Sequence, residues 1–375
     1  MGYQHGIENL SSIHNFLQGK RLGLITNPSG LDQNFRSVID ILNEQYRLVR
    51  MFAPEHGVRG DRQAGEAVTG YMDENTGIPV ESLFDASAGG KLNTRDLDCV
   101  LYDIQDVGVR FFSYTYTMAA AMKSCADAKI PFVVLDRYNP LGLEKVEGCL
   151  MDSRFDSGVG GYGLPTRHGM TIGELARYIN GEYSIGCNLT VVKCEGLARN
   201  MDYRHCNVPW VLPSPNCATY ETVLCYAGTA LFEGTNVSEG RGTVRPFELI
   251  GAPWMQNEAV VAEMEKKNLP GVRFRTTCFR PTFSKYQGQL CKGLQLHITD
   301  PDSFQPVRCG WLLLDVIRRM HQEFAFDYDG KRYFIDLLMG TDLLRSEAFD
   351  LGRFCALQED PLKQFVRKAG RYFLY

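Results

Sequence analysis

Four short apolar runs, at residues 21–26, 46–52, 97–103 and 131–136, do most to restrict what this chain can fold into. Helical patterns over 35–44 and 115–129 separate some of them, with the turn Asn27-Pro28-Ser29-Gly30 closing the first. Strand and helix signals that alternate in this way predict an α/β chain with a doubly wound, mostly parallel sheet. Ligands of such sheets bind beyond the carboxyl ends of the strands. A helix should begin at Thr171, where Glu174 stands three residues on in capping-box spacing, and a short strand is expected at 189–192. From residue 246 the elements read as α+β, with strands near 272–275 and 294–298 and helices near 307–321 and 362–369. The expected organisation is an α/β domain over 1–155, extending at most to about 245, a connecting region with substrate loops over 156–245, and an α+β domain over 246–375.

The second apolar run ends in Ala53-Pro54-Glu55-His56-Gly57-Val58-Arg59-Gly60, which opens a long polar loop to about residue 93. Pro54 and the two glycines end regular backbone, so a carboxylate, an imidazole and a guanidinium lie together on a loop at a strand end. Three more clusters share this character. They are Asp103-Ile104-Gln105-Asp106-Val107-Gly108-Val109-Arg110 running into Tyr114 and Tyr116, then Arg167-His168-Gly169-Met170, and finally Glu233-Gly234-Thr235-Asn236-Val237-Ser238-Glu239-Gly240-Arg241. Each mixes charged or amide groups with glycine, as a site for a polar substrate needs. Each also has a plainer reading. Asp103 or Asp106 caps the next helix, His168 is an ordinary loop residue, Arg241 pins a loop through carbonyls, and Glu55 is satisfied by backbone N–H groups.

Glycosidic hydrolysis is the chemistry that fits. It needs a carboxylic acid held protonated to deliver a proton to the leaving oxygen, and a base, nucleophile or charge stabiliser opposite. Glu55 is the first choice for the acid, because partial burial at a strand end raises a carboxyl pKa, although His56 and Arg59 beside it act in the other direction. Asp103, Asp106 and Glu239 compete for the second role. Tyr114 or Tyr116 can stack on a sugar face or supply a hydroxyl.

Composition removes other classes. A net charge of −4 gives no basic surface for nucleic acid or acidic membranes. No apolar run approaches the ~18 residues of a membrane span. The polar first residues do not resemble a signal peptide, so a cytoplasmic location is expected, or a secreted or periplasmic one if an export signal has been removed. The twelve cysteines are dispersed, without a C-x-x-C pair or zinc-type spacing, and read as small buried hydrophobes in a reducing compartment. No metal is expected. A dinucleotide-dependent oxidoreductase would require a glycine fingerprint after the first strand, where this chain has one glycine and a proline. A non-catalytic sugar-binding protein would use the same aromatics and arginines without an acid of raised pKa.

Five motifs occur in order: Pro54-Glu55-His56-Gly57-x-Arg59-Gly60, Asp103-x-Gln105-Asp106-x-Gly108-x-Arg110, Leu135-Asp136-Arg137-x-Asn139-Pro140, Arg167-His168-Gly169-Met170-Thr171-x-Gly173-Glu174-Leu175 and Phe232-Glu233-Gly234-Thr235-Asn236-x-Ser238-Glu239-Gly240-Arg241-Gly242-Thr243. Together they resemble the exo-β-N-acetylmuramidases of the NamZ type, glycoside hydrolase family 171, over most of the chain. The resemblance implies release of terminal N-acetylmuramic acid from non-reducing ends of peptidoglycan fragments. It implies a Rossmann-like domain without a nucleotide cofactor, a smaller C-terminal domain and a site in the cleft between them. It places the catalytic glutamate on Glu55, and the residue reading above keeps Asp106 and Glu239 as candidates for the second catalytic group. His56, Arg59, Asp103, Gln105, Arg110, Tyr114, Arg167, His168, Asn236, Ser238 and Arg241 become candidate substrate-binding residues. Among them Arg59, Arg110, Arg167, His168 and Arg241 suit the lactyl carboxylate, which a guanidinium fork can grip with two hydrogen bonds. The oligomeric state is left open.

Overall fold

The computed structural model describes residues 2–54, 57–60, 70–83 and 91–375. Its strands are β1 (Arg21–Thr26), β2 (Arg47–Ala53), β3 (Tyr71–Met72), β4 (Pro79–Ser82), β5 (Cys99–Asp103), β6 (Phe132–Leu135), β7 (Glu147–Leu150), β8 (Pro165–Arg167), β9 (Leu189–Val192), β10 (Leu249–Ala252), β11 (Val272–Phe279) and β12 (Cys291–Ile298). Its helices are α1 (His14–Leu17), α2 (Val38–Gln45), α3 (Tyr114–Ala128), α4 (Ile172–Glu182), α5 (Tyr203–Cys206), α6 (Tyr220–Thr229), α7 (Asn257–Glu265), α8 (Pro306–Met320), α9 (Phe334–Met339) and α10 (Leu351–Ala369).

Seven strands form the central sheet in the order β3-β4-β2-β1-β5-β6-β9. All neighbours are parallel except β3 against β4. β5 and β6 are buried along their whole length, as expected for parallel strands covered on both faces. The chain leaves β1 toward β2 and later returns on the other side as β5, so the strand order reverses between β1 and β5. A smaller antiparallel sheet, β10-β12-β11, carries the C-terminal part, with α7 packed on β11 and α8 packed on α6. The central sheet takes its last strand from β9, and the second sheet begins at Leu249. No helix among the described residues is long and apolar enough to cross a membrane.

Local signals account for many boundaries. Thr171 caps α4 by accepting from Glu174 N, and the Glu174 side chain accepts from Thr171 N. The helix expected from residue 35 begins at Val38, because Phe35 takes a left-handed φ of 61° and Ser37 caps the helix through Ile39 N. The stretch expected to be a continuous loop from 53 to 93 contains β3 and β4, whose parallel pairing of β4 with β2 is non-local. The last helix starts at Leu351 rather than 362 and runs through Pro361. Asp350 caps it through Arg353 N, eleven residues before the proline at which a sequence reading stops. All twelve cysteines are free, and ten are buried.

Candidate active site

A cleft of about 480 Å³ opens at the carboxyl edge of the central sheet. Its walls come from Pro54 after β2, Leu83 after β4, the Phe111–Thr117 stretch after β5, Ser214 and Asn216 from a proline-containing loop, Tyr226 of α6, and Glu233, Arg241 and Phe247. The volume lies within the usual range for small-molecule sites, about 300–1,000 Å³.

The loop after β5 is fixed from behind. Gly108 has φ 81°, and a Cβ there would lie 2.3 Å from Asn139 Oδ1, so this turn requires glycine. Asp106 Oδ2 accepts from Gly108 N at 2.7 Å and lies 3.3 Å from His168 Nε2. Asp106 therefore organises its own loop instead of capping α3, whose N-cap is Ser113. Gln105 Nε2 donates to the carbonyls of Asp106 and Tyr138. Arg110 is buried and donates to four carbonyls, those of Cys149, Leu164, Leu338 and Met339, each at 2.7–2.8 Å. This clamp joins the β5 loop to β7 and α9 and leaves Phe111, Phe112, Tyr114 and Tyr116 as one wall of the cleft. The Tyr116 hydroxyl donates to Arg110 O at 2.8 Å.

The opposite wall is the 232–247 segment. Ser238 and Gly251 exchange backbone hydrogen bonds, which tie it to β10. Asn236 holds the 323–325 segment, donating to Glu323 O and accepting from Ala325 N. Ser238 Oγ accepts from Gly240 N. At the cleft itself Arg241 Nη2 donates to Glu233 Oε1 at 2.8 Å, and the guanidinium lies 5.0 Å from the Phe247 ring centre. Phe247 has φ 65°, an uncommon conformation for a bulky residue, and this turns its ring under Arg241. Burial raises the Glu233 carboxyl above the usual glutamate range, against the pull of Arg241, while the side chain keeps 23% exposure. Glu239 sits behind Arg241, 2% exposed, with Lys285 Nζ 3.1 Å from its Oε2. Cys217 also lines the cleft, but burial pushes its thiol up to about 12, away from a reactive thiolate.

Of the residues expected from sequence, the structure brings Tyr114, Tyr116 and Arg241 to the cleft wall and Glu239 directly behind it. The other described ones make protein contacts. Arg59 pairs with Asp73 at 2.6 Å and Asp40 at 3.0 Å. Asp103 is in a buried ion pair with Arg137. Arg167 holds Glu147 at 2.5 Å and also donates to the Leu141 carbonyl. Glu55 and His56 lie outside the described residues. The sequence carries no individual mark of Glu233, Tyr226, Ser214 or Asn216 as cleft residues. Pro213 and Pro215 marked the last two as loop residues, but nothing local marked them as cleft residues. No group of three His, Cys, Asp or Glu side chains suited to a metal ion occurs among the described residues.

Comparison with known proteins covers nearly the whole chain. The family model described as the N-terminal domain of exo-β-N-acetylmuramidase NamZ matches residues 22–221, and that for the C-terminal domain matches 224–375. The peptidoglycan β-N-acetylmuramidase NamZ of Bacillus subtilis (strain 168) is 45% identical over 369 residues, 96% of this chain and 88% of that protein. Two crystal structures of DUF1343 family proteins from Bacteroides fragilis are similar over 100% of this chain and 99% of theirs. They have TM-scores of 0.89 and 0.79 at 33% and 30% identity.

Proposed function

The chain belongs to the NamZ family of exo-β-N-acetylmuramidases, glycoside hydrolases, and from that premise we propose that it releases terminal β-linked N-acetylmuramic acid from the non-reducing ends of peptidoglycan fragments. Glu55 is the general acid in this reading. Arg241 receives the lactyl carboxylate that distinguishes N-acetylmuramic acid from N-acetylglucosamine.

The observation that carries this reading is the position of Arg241, the one arginine lining the cleft among the described residues. Arg59, Arg110 and Arg167 spend their guanidinium groups on carboxylates and carbonyls of the protein. Arg241 gives one hydrogen bond to Glu233, and its Nη1 makes none among the described residues. Donors therefore remain for an arriving carboxylate, which a guanidinium binds with two parallel hydrogen bonds. The aromatic wall from Phe111 to Tyr116 offers apolar faces to the sugar ring and helps exclude water.

Two features support Glu55 as the acid. Pro54, its neighbour in sequence, lines the cleft. The charge of Arg59 is taken up by Asp73 and Asp40, so one of the two cationic groups of the motif is already neutralised. A protonated glutamate would donate to the glycosidic oxygen as positive charge develops on the sugar ring.

Incubation with a muramic acid–glucosamine disaccharide, with products followed by mass spectrometry, tests the reading. Wild type should release free N-acetylmuramic acid. Glu55→Gln should lower turnover by about 10²–10⁴-fold while binding persists. Absence of product from the wild type at every pH would refute hydrolysis, and an active Glu55→Gln would move the acid role to another carboxylate.

A further inference from the structure

Glu239 presents a problem of charge. Its carboxylate is 2% exposed, and two cations stand within reach of it. Lys285 Nζ lies 3.1 Å from Oε2, a hydrogen bond, whereas Arg241 Nε lies 3.5 Å from Oε1, beyond a good one. Arg241 bonds instead to Glu233 on the cleft side, at 2.8 Å. Lys285 reaches this spot from the turn between β11 and β12, and its ammonium also contacts the carbonyls of Phe232 at 2.6 Å, Glu233 at 3.3 Å and Val237 at 3.2 Å. The same turn is held against the site loop at Gly242, whose carbonyl accepts from both the backbone and the hydroxyl of Thr282 at 2.9 Å.

We propose that Lys285 is a positioning residue for substrate recognition: by holding the Glu239 carboxylate it keeps Arg241 turned toward Glu233 and the cleft, where it can meet the carboxylate of the substrate. A buried carboxylate cannot stay unpaired. Without Lys285, Arg241 is the remaining cation beside Glu239 among the described residues, and it swings inward to become the partner. The pocket then loses the donor that reads the lactyl group, although neither Lys285 nor Glu239 touches the sugar. The four side chains thus form an alternating row, Glu233–Arg241–Glu239–Lys285, in which the last member decides where the second one points.

This rests on the reading of Arg241 given above, and the experiment separates the two. Affinity for N-acetylmuramic acid, and for N-acetylglucosamine as the ligand lacking a carboxylate, is measured for wild type, Arg241→Ala, Lys285→Met, Glu239→Gln and the double variant Lys285→Met/Glu239→Gln. Lys285→Met should weaken N-acetylmuramic acid by about tenfold and leave N-acetylglucosamine within about twofold, as expected for one charge-assisted contact. The double variant should recover to within about threefold of wild type, because the neutral amide no longer draws Arg241 inward. Recovery is the result that a loop merely stapled through its carbonyls would not give. Failure of the double variant to recover, with Arg241→Ala still impaired, overturns the role of Lys285 and keeps that of Arg241. An unimpaired Arg241→Ala overturns the reading of Arg241. If Lys285→Met does not fold, Glu239→Gln alone decides: affinity at or above wild type supports the proposal, and a loss of more than about threefold overturns it.

Discussion

Two neighbouring regions at the carboxyl edge of the sheet are built from the same ingredients and end in opposite states. Where the strand order reverses, between β1 and β5 and beside β6, Arg137 grips Asp103 with two hydrogen bonds of 2.5 and 2.9 Å and also donates to the Leu31 carbonyl. Gln105, Ser29 and the imidazole of His5 fill the remaining space, leaving about 20 Å³. Beyond β2 and β4, Glu233 and Arg241 also pair, but through one hydrogen bond and on the wall of a 480 Å³ cleft. The side chains of the first pair are 3% and 0% exposed; those of the second are 26% and 23% exposed. The segment 208–217 divides them, with Val208 and Val211 on the closed side and Ser214 and Asn216 on the open side. An arginine–carboxylate pair serves architecture when every donor has a protein acceptor. It serves recognition when one partner can be exchanged.

The largest expected effect lies on the closed side. Asp103→Ala leaves the Arg137 guanidinium buried without its carboxylate and should cost about 3–5 kcal/mol of stability in denaturant unfolding. Affinity of the folded fraction for N-acetylmuramic acid should be nearly unchanged. Arg241→Ala should do the reverse, weakening that ligand about ten- to a hundredfold. It should cost less stability than Asp103→Ala, because the Glu233 side chain left behind keeps 23% exposure and can be solvated. Equal stability losses for the two variants would erase the distinction between the regions.

A smaller effect concerns pH. Burial, and secondarily the charge of Arg137, hold His5 down to about 2, so the folded protein keeps the imidazole neutral while the unfolded chain protonates it near 6.5. The unfolded state then binds more protons, and stability falls as pH drops below about 6.5. Between pH 7 and pH 5 this one group should remove about 2 kcal/mol, read as a lower denaturant midpoint. His5→Gln should flatten that part of the profile. A His5→Gln profile that keeps the wild-type slope over this interval would mean that the crevice admits water and is less closed than the geometry indicates.

Much of the framework was legible because it is written in local chemistry. The runs at 21–26 and 189–192 coincide with β1 and β9, since Leu, Ile, Val and Thr in a short stretch suit a strand, buried in β1 and half-buried at the sheet edge in β9. The capping box at Thr171 and Glu174 needs no distant partner either. Short strands such as β4 and β10 escaped notice because four residues carry little periodic signal and their pairing partners lie far along the chain.

The candidate site divides along the same line. Motif order carried the resemblance to the family, and the residue types suited a polar substrate. Sequence could not rank the arginines, since Arg59, Arg110, Arg167 and Arg241 are chemically one residue. Their roles follow from acceptors that folding brings from afar: the carbonyls at 149, 164, 338 and 339 for Arg110, Asp73 for Arg59, and Glu147 for Arg167. Arg241 differs because folding brings it one hydrogen-bonded carboxylate, Glu233, and open space, with Lys285 hydrogen-bonded to Glu239 behind it. Local propensity and motif order are properties of adjacent residues and survive in a linear string. Whether a charge is spent or available is a property of its surroundings, and those exist only once the chain has closed.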